Sequence, residues 1–452
     1  MKRAADTLRV GIIVDHPARD LDGCVLLADR LARSRIEVFL IPFYAASFDI
    51  ALIKPDLLVV NYVRPANHGF LKHAQCLGIQ LAVLDTEGGL LPKDGPTSAA
   101  GIAKFLKQSG LDEQLALYMF WGAALRDVVV EETGLPPSRT AVTGCPRFDL
   151  ALWQREAGVA QSDYVLVNTN FPVVNSARSG TNVDRKAMLH VGFTEVEADE
   201  LIDVIAGVRE RFVTAIASLA TALPEQAFVL RPHPFERIEP YRELLAAQAN
   251  ITVQREGSAV EAMVGARCML HVNCTTAVEA LLCGVPPISL DFANHNKMLE
   301  MAELPSNISF RAQSIDATLD LINSADTLRL DKHAEQIEPF FGPLDGRSAE
   351  RCEKAILATL KGVSITRGRG SRMTLTRRIS NALGQTVGSR TIEKLRQMRQ
   401  PSRSIKFFDL GAVSRVQELI AKAHNLDQTS CEIVRSRAGL PSLSLRVLTT
   451  YH

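Results

Sequence analysis

Two stretches of this chain carry residue types that can bind a phosphate and a ribose. In the first, Arg231-Pro-His-Pro234, two prolines fix the backbone on either side of His233, just after an apolar run that predicts a strand. An imidazole on such a stiff turn can donate a hydrogen bond to a phosphate oxygen and assist the departure of a nucleotide. The alternative is that His233 only caps the strand by bonding to the backbone, because so short a motif is a weak signal.

The second stretch, Val272–Pro287, leaves a predicted strand and enters a predicted helix. Thr275 and Thr276 stand at the start of that helix, where free backbone N–H groups and the helix dipole favour an anion. Glu279 follows about one turn later, on a face from which a carboxylate can accept hydrogen bonds from both ribose hydroxyls. A threonine N-cap with an exposed glutamate is the simpler alternative. Taken with the His-Pro turn, the stretch predicts a nucleotide-binding site.

A third group of polar residues, Asp85-Thr-Glu-Gly-Gly89, directly follows an apolar strand. Glycines let the backbone approach a ligand closely, and a carboxylate at this point can remove the proton of a sugar hydroxyl. Glu87 is the candidate for that base, while a plain strand-ending turn is the alternative. Asn168 and Asn170 end another predicted strand and could line the nucleotide site, or merely satisfy their own turn.

The elements that position these residues form a repeating strand–helix pattern. Buried, β-branched runs such as Leu8–Val14 alternate with helix-like stretches, which predicts doubly wound α/β domains whose ligands bind at the carboxyl ends of the strands. We therefore predict two Rossmann-like domains facing a cleft, over residues 1–155 and 160–360, with a polar linker at 153–163. Residues 361–452 are predicted to form a basic, partly helical C-terminal extension.

Composition describes an ordinary globular protein with one unusual segment. The 452 residues are 46% hydrophobic and 22% charged, with 51 basic against 50 acidic side chains, so the whole chain is not an obvious polyanion binder. Between Lys361 and Lys406, however, twelve Lys or Arg residues stand against the single acid Glu393. Such a block favours an anionic membrane surface or a lipid-linked acceptor, unless it is simply solvated. Nucleic acid is not an expected partner, because the block has no interleaved aromatic residues.

The remaining sequence features concern the cellular compartment. The eight cysteines are scattered and form no Cys-x-x-Cys pair, which predicts reduced and mostly buried thiols. No apolar run approaches the roughly 20 residues of a membrane span, and the first residues do not read as a signal peptide. We expect a cytoplasmic protein, with peripheral contact at the inner face of the cytoplasmic membrane as an option.

The order of these motifs resembles that of bacterial surface-carbohydrate biosynthesis glycosyltransferases with the GT-B fold, which use CMP-activated Kdo or sialic acid. Further matching segments are Arg19-Asp-Leu21, Thr143–Asp149, Val167–Phe171 and Asp345–Arg351, so that the resemblance spans about residues 8–360. It implies that an acid-glycine motif supplies the base, that a His-Pro motif contacts the CMP phosphate, and that a Ser/Thr cluster completes the phosphate site.

Carried onto this sequence, the resemblance makes His233 and either Glu87 or Asp85 the catalytic residues. The residues that it assigns to nucleotide binding are Arg231, Thr275, Thr276, Glu279, Asn168 and Asn170. One departure is Thr86, which occupies the place of the family's first acid, and this leaves the stereochemistry of transfer open.

The expected function is transfer of an acidic sugar from a CMP-sugar donor to a surface polysaccharide or lipid-linked glycan, with the acceptor on residues 1–155 and the donor on 160–360. The sequence has no convincing Asp-x-Asp, no His-x-x-x-His and no cysteine pair, so we expect a metal-independent reaction with no cofactor besides the donor. A dinucleotide oxidoreductase is disfavoured, because no Gly-x-Gly-x-x-Gly follows the first strand.

Three alternatives remain open. The first is a UDP-sugar 2-epimerase or UDP-sugar transferase with the same two-domain plan. The second is a teichoic-acid-type transferase of a CDP-linked polyol phosphate. The third is a non-catalytic scaffold of polysaccharide assembly.

Overall fold

The computed structural model describes residues 7–89, 98–156, 163–177, 185–186, 188–189, 193–256, 259–301, 303–362 and 375–449. In chain order the strands are β1 (Arg9–Val14), β2 (Glu37–Pro42), β3 (Leu57–Val60), β4 (Gln80–Leu84), β5 (Leu115–Phe120), β6 (Thr140–Val142), β7 (Tyr164–Asn168), β8 (Ala227–Arg231), β9 (Ile251–Val253), β10 (Ala266–His271), β11 (Pro287–Leu290), β12 (Phe310–Ala312), β13 (Ser430–Arg435) and β14 (Pro441–Leu448).

The helices are α1 (Pro17–Arg33), α2 (Ala46–Ile53), α3 (His68–Cys76), α4 (Ala99–Ser109), α5 (Ala123–Thr133), α6 (Pro146–Glu156), α7 (Glu195–Ala222), α8 (Glu239–Leu244), α9 (Ala259–Val264), α10 (Thr276–Leu282), α11 (Asn296–Met301), α12 (Leu304–Asn307), α13 (Ile315–Asn323), α14 (Asp331–Ala334), α15 (Glu338–Phe341), α16 (Ser348–Gly362), α17 (Leu375–Val387), α18 (Ser389–Arg399) and α19 (Leu410–His424). Short 3-10 helices cover Phe43–Ala45, Pro65–Asn67, Pro137–Arg139, Asp291–Ala293, Ala325–Thr327 and Pro401–Lys406.

By its internal contacts the chain divides into two compact units. Unit 1 comprises Met1–Leu150 and Pro339–His452, and unit 2 comprises Ala151–Glu338. The linker was predicted to start at residue 153, but residues 153–156 are the last residues of helix α6. Among the described residues, no helix is long and apolar enough to cross a membrane.

Unit 1 is built on an eight-stranded sheet with the order β13-β14-β2-β1-β3-β4-β5-β6. The six strands from β2 to β6 in that order are parallel, and their runs of buried aliphatic residues are typical of a sheet covered on both faces. The chain passes from β1 to β2 on one side and then to β3 on the other. The carboxyl ends of β1 and β3 therefore mark the topological switch point, where such sheets bind ligands.

The C-terminal region also belongs to unit 1, whereas the sequence predicted a separate extension over residues 361–452. Strand β14 pairs antiparallel with β2 and β13 pairs with β14, so a hairpin covers the edge of the parallel sheet. A buried carboxylate fixes this arrangement, since Asp49 Oδ2 on α2 accepts hydrogen bonds from the hydroxyls of Ser389, Ser442 and Ser444. Contacts between residues so far apart in sequence leave no local pattern, which is why the sequence did not predict them.

Unit 2 contains a six-stranded parallel sheet in the order β12-β11-β10-β7-β8-β9. Numbered within the unit, this is the Rossmann order 3-2-1-4-5-6, and its switch point lies between β7 and β10. The long helix α7 starts with a reciprocal capping box between Thr194 and Glu197 and packs Val208, Phe212 and Ile216 into the core beside the sheet.

Candidate functional site

The switch point of the unit 2 sheet gathers three strand-end loops around Asn168. This residue ends β7 and lies in register with His271, the last residue of β10, and with Arg231, the last residue of β8. Asn168 is 4% exposed, and its Nδ2 donates a hydrogen bond to Thr276 Oγ1 at 2.9 Å. Its Oδ1 atom has no partner among the described residues. A buried carbonyl oxygen without a partner costs free energy, so it marks a place where a donor group of a ligand would be favoured.

The loop after β8 holds His233 in a defined orientation. The backbone N–H of His233 donates to Thr169 Oγ1 at 3.1 Å, which connects this loop to the one after β7. The imidazole Nδ1 accepts a hydrogen bond from the N–H of Phe235 at 3.2 Å. Because Nδ1 acts as an acceptor, the neutral ring carries its proton on Nε2 and presents a donor there.

A buried carboxylate, Glu236, ties the same two loops together. Its Oε1 accepts from Thr169 Oγ1 at 2.9 Å and from the N–H of Phe171 at 2.7 Å, and its Oε2 accepts from the hydroxyl of Tyr241. The side chain is fully buried, and this burial raises the pKa of Glu236 although each of these donors acts in the opposite direction. Glu236 therefore fixes Thr169, and through it the position of His233.

The turn between β10 and α10 is held by a second buried network. His271 Nδ1 accepts from the N–H of Cys274 at 3.2 Å, and its Nε2 lies 2.8 Å from Ser309 Oγ. Burial lowers the pKa of His271 to about 4, although Asp291 acts in the opposite direction. Asn273 has a positive φ of 51°, a conformation that asparagine tolerates better than most residues, and its carbonyl accepts from Asn170 Nδ2 at 3.1 Å.

The other residues predicted at the nucleotide site occupy different environments. Thr275 is exposed at the N-cap position and its side chain makes no capping hydrogen bond, whereas the hydroxyl of Thr276 is bound by Asn168. Arg231 is buried, and its Nη1 donates to the carbonyl of Glu256 at 2.7 Å. Glu279 is also buried on α10, so an exposed glutamate is excluded.

In unit 1 the two candidate carboxylates differ sharply in exposure. Asp85 is 2% exposed and forms an ion pair with Arg64, at 3.1 Å between Oδ2 and Nη1. Burial raises the pKa of Asp85, and Arg64 acts in the opposite direction. The side chain of Glu87 is 58% exposed, its Oε1 accepts from Arg19 Nη1 at 3.0 Å, and its N–H donates to Asp85 Oδ1 at 2.9 Å. Glu87 is thus the carboxylate that a ligand can reach, and Asp85 shapes the turn beneath it.

More polar residues surround this edge of the unit 1 sheet. Arg19 is shared among the carboxylates of Asp15, Asp20 and Glu87, which raise its pKa despite the opposing effect of burial. Asn61, which follows β3 at the switch point, is 2% exposed, and neither polar atom of its amide has a partner among the described residues. Like Asn168 in unit 2, Asn61 marks a position where a hydrogen-bonding ligand would be favoured.

Sequence reasoning did not single out Thr169, Glu236, Asn61, Asp15 or Lys406. Thr169 lies inside the matched segment Val167–Phe171, and Glu236 follows the His-Pro turn by two residues, so Thr169 and Glu236 each had a weak positional signal. Among the described residues, no group of three or more His, Cys, Asp or Glu side chains could hold a metal ion.

Comparisons with known proteins identify the fold. No protein-family model matches the chain, and no curated protein matches it. The UDP-GlcNAc 2-epimerase of Methanocaldococcus jannaschii, solved with UDP-GlcNAc and UDP, is similar with a TM-score of 0.50 and 13% identity over 77% of this chain and 99% of that chain.

Two further solved structures are similar to the same degree. A putative UDP-N-acetylglucosamine 2-epimerase of Listeria monocytogenes has a TM-score of 0.51 and 12% identity over 82% of this chain and 100% of that chain. The UDP-GlcNAc 2-epimerase of Neisseria meningitidis, bound to UDP-GlcNAc, has a TM-score of 0.51 and 12% identity over 78% of this chain and 100% of that chain. At such low identities the similarity shows the fold alone, and it confirms the prediction of a GT-B-like fold with two Rossmann-like domains.

Proposed function

We propose that this chain is an enzyme that binds a nucleotide sugar at the β7/β10 switch point of unit 2. The observation that carries the proposal is the convergence there of Asn168, Thr276 and the His233 turn, held by Glu236. Such a switch point is where doubly wound sheets bind nucleotides. The similar solved structures include two with UDP-GlcNAc bound, which supports a nucleotide-sugar ligand for this chain.

In the specific reaction that we propose, an acidic sugar such as Kdo or a sialic acid passes from its CMP donor to a glycan or lipid-linked acceptor. His233 Nε2–H would donate a hydrogen bond to the phosphate of the departing CMP. The exposed Thr275 hydroxyl offers that phosphate a further donor, and Asn168 Oδ1 offers the nucleotide an acceptor. Glu279 and Arg231, both buried, would act indirectly by supporting the ribose side of the site.

The chemical step assigned to unit 1 is removal of a proton from the acceptor. The Glu87 carboxylate would take the proton of the acceptor hydroxyl while the oxygen attacks the anomeric carbon of the donor sugar. The bond between that carbon and the phosphate oxygen breaks, and CMP leaves with the electron pair. The choice of Glu87 over Asp85 is supported by the exposure of Glu87, since the Asp85 side chain is buried against Arg64.

A UDP-sugar 2-epimerase is the second candidate, and the solved structures that the fold resembles favour it. An epimerase would invert a UDP-sugar at C2 without any acceptor, whereas a transferase releases CMP from a CMP-sugar. A scaffold in polysaccharide assembly would do neither.

Product analysis separates these candidates. The purified chain would be incubated with CMP-Kdo, CMP-sialic acid or UDP-GlcNAc, alone and with short Kdo- or sialic-acid-terminated oligosaccharides, and products resolved by anion exchange and NMR. CMP release with growth of the oligosaccharide is the expected result. Conversion of UDP-GlcNAc into its C2 epimer, with the CMP-sugars left intact, would establish the epimerase instead. If neither reaction is observed, both enzymatic candidates are contradicted.

A further inference from the structure

A chain of ion pairs runs along the carboxyl edge of the unit 1 sheet and ends at Glu87. Its first link joins Lys406 Nζ to Asp15 Oδ1 at 3.0 Å, and the second joins Asp15 Oδ2 to Arg19 Nη2 at 2.8 Å. The third link joins Arg19 Nη1 to Glu87 Oε1 at 3.0 Å. Lys406 and Asp15 lie 391 positions apart in sequence, so the C-terminal segment is built into this edge of the sheet.

The links differ in how firmly they are held. Lys406 is 5% exposed and Asp15 is 8% exposed, whereas more than half of the Glu87 side chain is in solvent. A buried ammonium group must keep its carboxylate partner, because a buried charge without one is very costly. An exposed ion pair is weak by itself and orients its members poorly. The orientation of Glu87 therefore depends on how firmly Arg19 is held from the other side.

The backbone around Lys406 is anchored independently of that ion pair. Arg403 forms an ion pair with the buried carboxylate of Glu393, at 2.8 Å between Nη2 and Oε2, and its guanidinium lies 4.0 Å from the ring centroid of Tyr44. The ring of Phe407 contacts Tyr44 at 6.4 Å between centroids. Lys406 thus reaches Asp15 from a fixed segment. Arg403 and Lys406 both form ion pairs with carboxylates of unit 1.

We propose that Lys406 is a positioning residue for Glu87, which it orients through Asp15 and Arg19. This inference rests on the proposed function, in which Glu87 receives the acceptor proton. Lys406 fixes one oxygen of Asp15 so that the other oxygen binds Arg19, and Arg19 then presents its Nη1 to Glu87. Asp20 also binds Arg19 through both carboxylate oxygens, at 2.9 Å between Nε and Oδ1 and at 3.1 Å between Nη2 and Oδ2. Loss of Lys406 therefore weakens the series of ion pairs without releasing Arg19 completely.

The test uses two readouts on the full-length chain, one of which needs no activity. The first is the rate at which carbodiimide and glycine amide modify the Glu87 carboxylate, measured by peptide mass spectrometry. In Lys406→Met we expect modification at least about threefold faster than in the parent, because Glu87 is less firmly bound by Arg19. The second is acceptor-dependent CMP release, for which kcat should fall about tenfold while the Kd for CMP stays within about twofold.

Three further variants complete the design. Lys406→Arg keeps the charge and should recover a large part of both readouts, whereas Lys394→Met, which removes an exposed lysine of the same segment, should behave as the parent. Asp15→Asn interrupts the series of ion pairs at its next member and should reproduce the effects of Lys406→Met. It therefore decides the question if Lys406→Met does not fold. In the Glu87→Gln background, Lys406→Met should cause no further loss of kcat.

The outcomes separate this inference from the proposed function. Parental modification rates at Glu87 in both Lys406→Met and Asp15→Asn would overturn the positioning role, whatever the enzyme does. If the parent shows no CMP release while the modification rates change as expected, the proposed reaction fails but the coupling of Lys406 to Glu87 stands. A further loss of kcat on adding Lys406→Met to Glu87→Gln would also overturn the proposal, because Lys406 would then act by another route.

Discussion

At the scale of single residues, the most informative side chains are those whose environment separates them from chemically identical neighbours. Glu87 and Asp85 are two positions apart, yet one is exposed beside Arg19 and the other is buried against Arg64. Glu236 is fully buried and saturated with donors on Oε1, so it acts by holding the loops rather than by reacting. Environment, rather than residue type, therefore assigns the proposed roles.

The first prediction concerns Glu87. The variant Glu87→Gln keeps the shape of the side chain but removes its basicity, so acceptor-dependent CMP release should fall at least about a hundredfold. The Kd for CMP should stay within about twofold, because the proposed nucleotide site lies in unit 2. Steady-state kinetics and calorimetric titration measure the two quantities. Glu131→Gln, an exposed change on α5, is the matched control. Transfer at the parental rate in Glu87→Gln would remove Glu87 as the base.

At the scale of elements, the important feature is that β7, β8 and β10 of unit 2 end in register. Each of these strands is followed by a loop whose backbone is fixed by a buried side chain, Glu236 for two of them and His271 for the third. The loops can therefore present small polar groups at defined positions. A preorganised site of this kind needs little rearrangement to bind a ligand.

The second prediction is a pH dependence of stability that comes from His271. Its pKa in the folded chain is lowered to about 4, against 6.5 for the ordinary side chain. Between these values the unfolded state binds a proton that the folded state does not, so stability is complete above about pH 6.5 and is lost as pH falls towards 4. The loss amounts to about 3 kcal/mol of unfolding free energy.

Urea unfolding of the parent and of His271→Gln, measured by circular dichroism between pH 4 and 7, tests this dependence. Other titrating groups contribute equally to both proteins, so the difference between their slopes isolates His271. The variant should be less stable at pH 7 but should lose less stability on acidification. Parallel curves over the whole range would show that His271 is protonated equally in the folded and unfolded states.

At the scale of the whole molecule, the C-terminal region completes unit 1 instead of forming a separate extension. The β13–β14 hairpin covers β2, Asp49 binds three serine hydroxyls of this region, and Lys406 reaches the candidate site. Burial raises the pKa of Asp49, and the hydroxyls oppose that effect. Removal of the C-terminal region would thus have two effects: it would expose the edge of the sheet at β2, and it would disturb the ion pairs that lead to Glu87.

The third prediction concerns that attachment. Asp49→Ala leaves buried hydroxyls without their acceptor and should lower the unfolding free energy of unit 1 by about 3 kcal/mol. Trp121 lies in unit 1 and Trp153 in unit 2, so urea unfolding followed by fluorescence in a Trp153→Phe background reports on unit 1. Asp127→Ala, at an exposed position of α5, is the control. A change below about 0.5 kcal/mol in Asp49→Ala would show that the serine cluster does not stabilise unit 1.

The sequence predicts those elements that are determined by contacts between residues close together in the chain. The strand ends before Asp85, at Asn168 and before the His-Pro turn were predicted correctly, because apolar runs that end in polar turns encode them locally. The start of the helix at Thr276 was predicted correctly for the same reason. The β13–β14 hairpin and the ion pair between Lys406 and Asp15 depend on tertiary contacts across hundreds of residues. Burial of a charged residue such as Glu236 has no sequence signal, because the partners that compensate the loss of its hydration come from the tertiary structure.

A calorimetric titration of CMP and UDP into the parent, His233→Ala and Thr276→Val tests whether the β7/β10 switch point binds a nucleotide. We expect that CMP binds the parent and that each variant weakens binding about tenfold, or about 1.4 kcal/mol. Thr221→Val, an exposed threonine on α7 of the same unit, should bind as the parent does. Tighter binding of UDP than of CMP would favour the epimerase. No binding of either nucleotide to the parent, or parental affinity in both variants, would contradict a nucleotide site at the β7/β10 switch point.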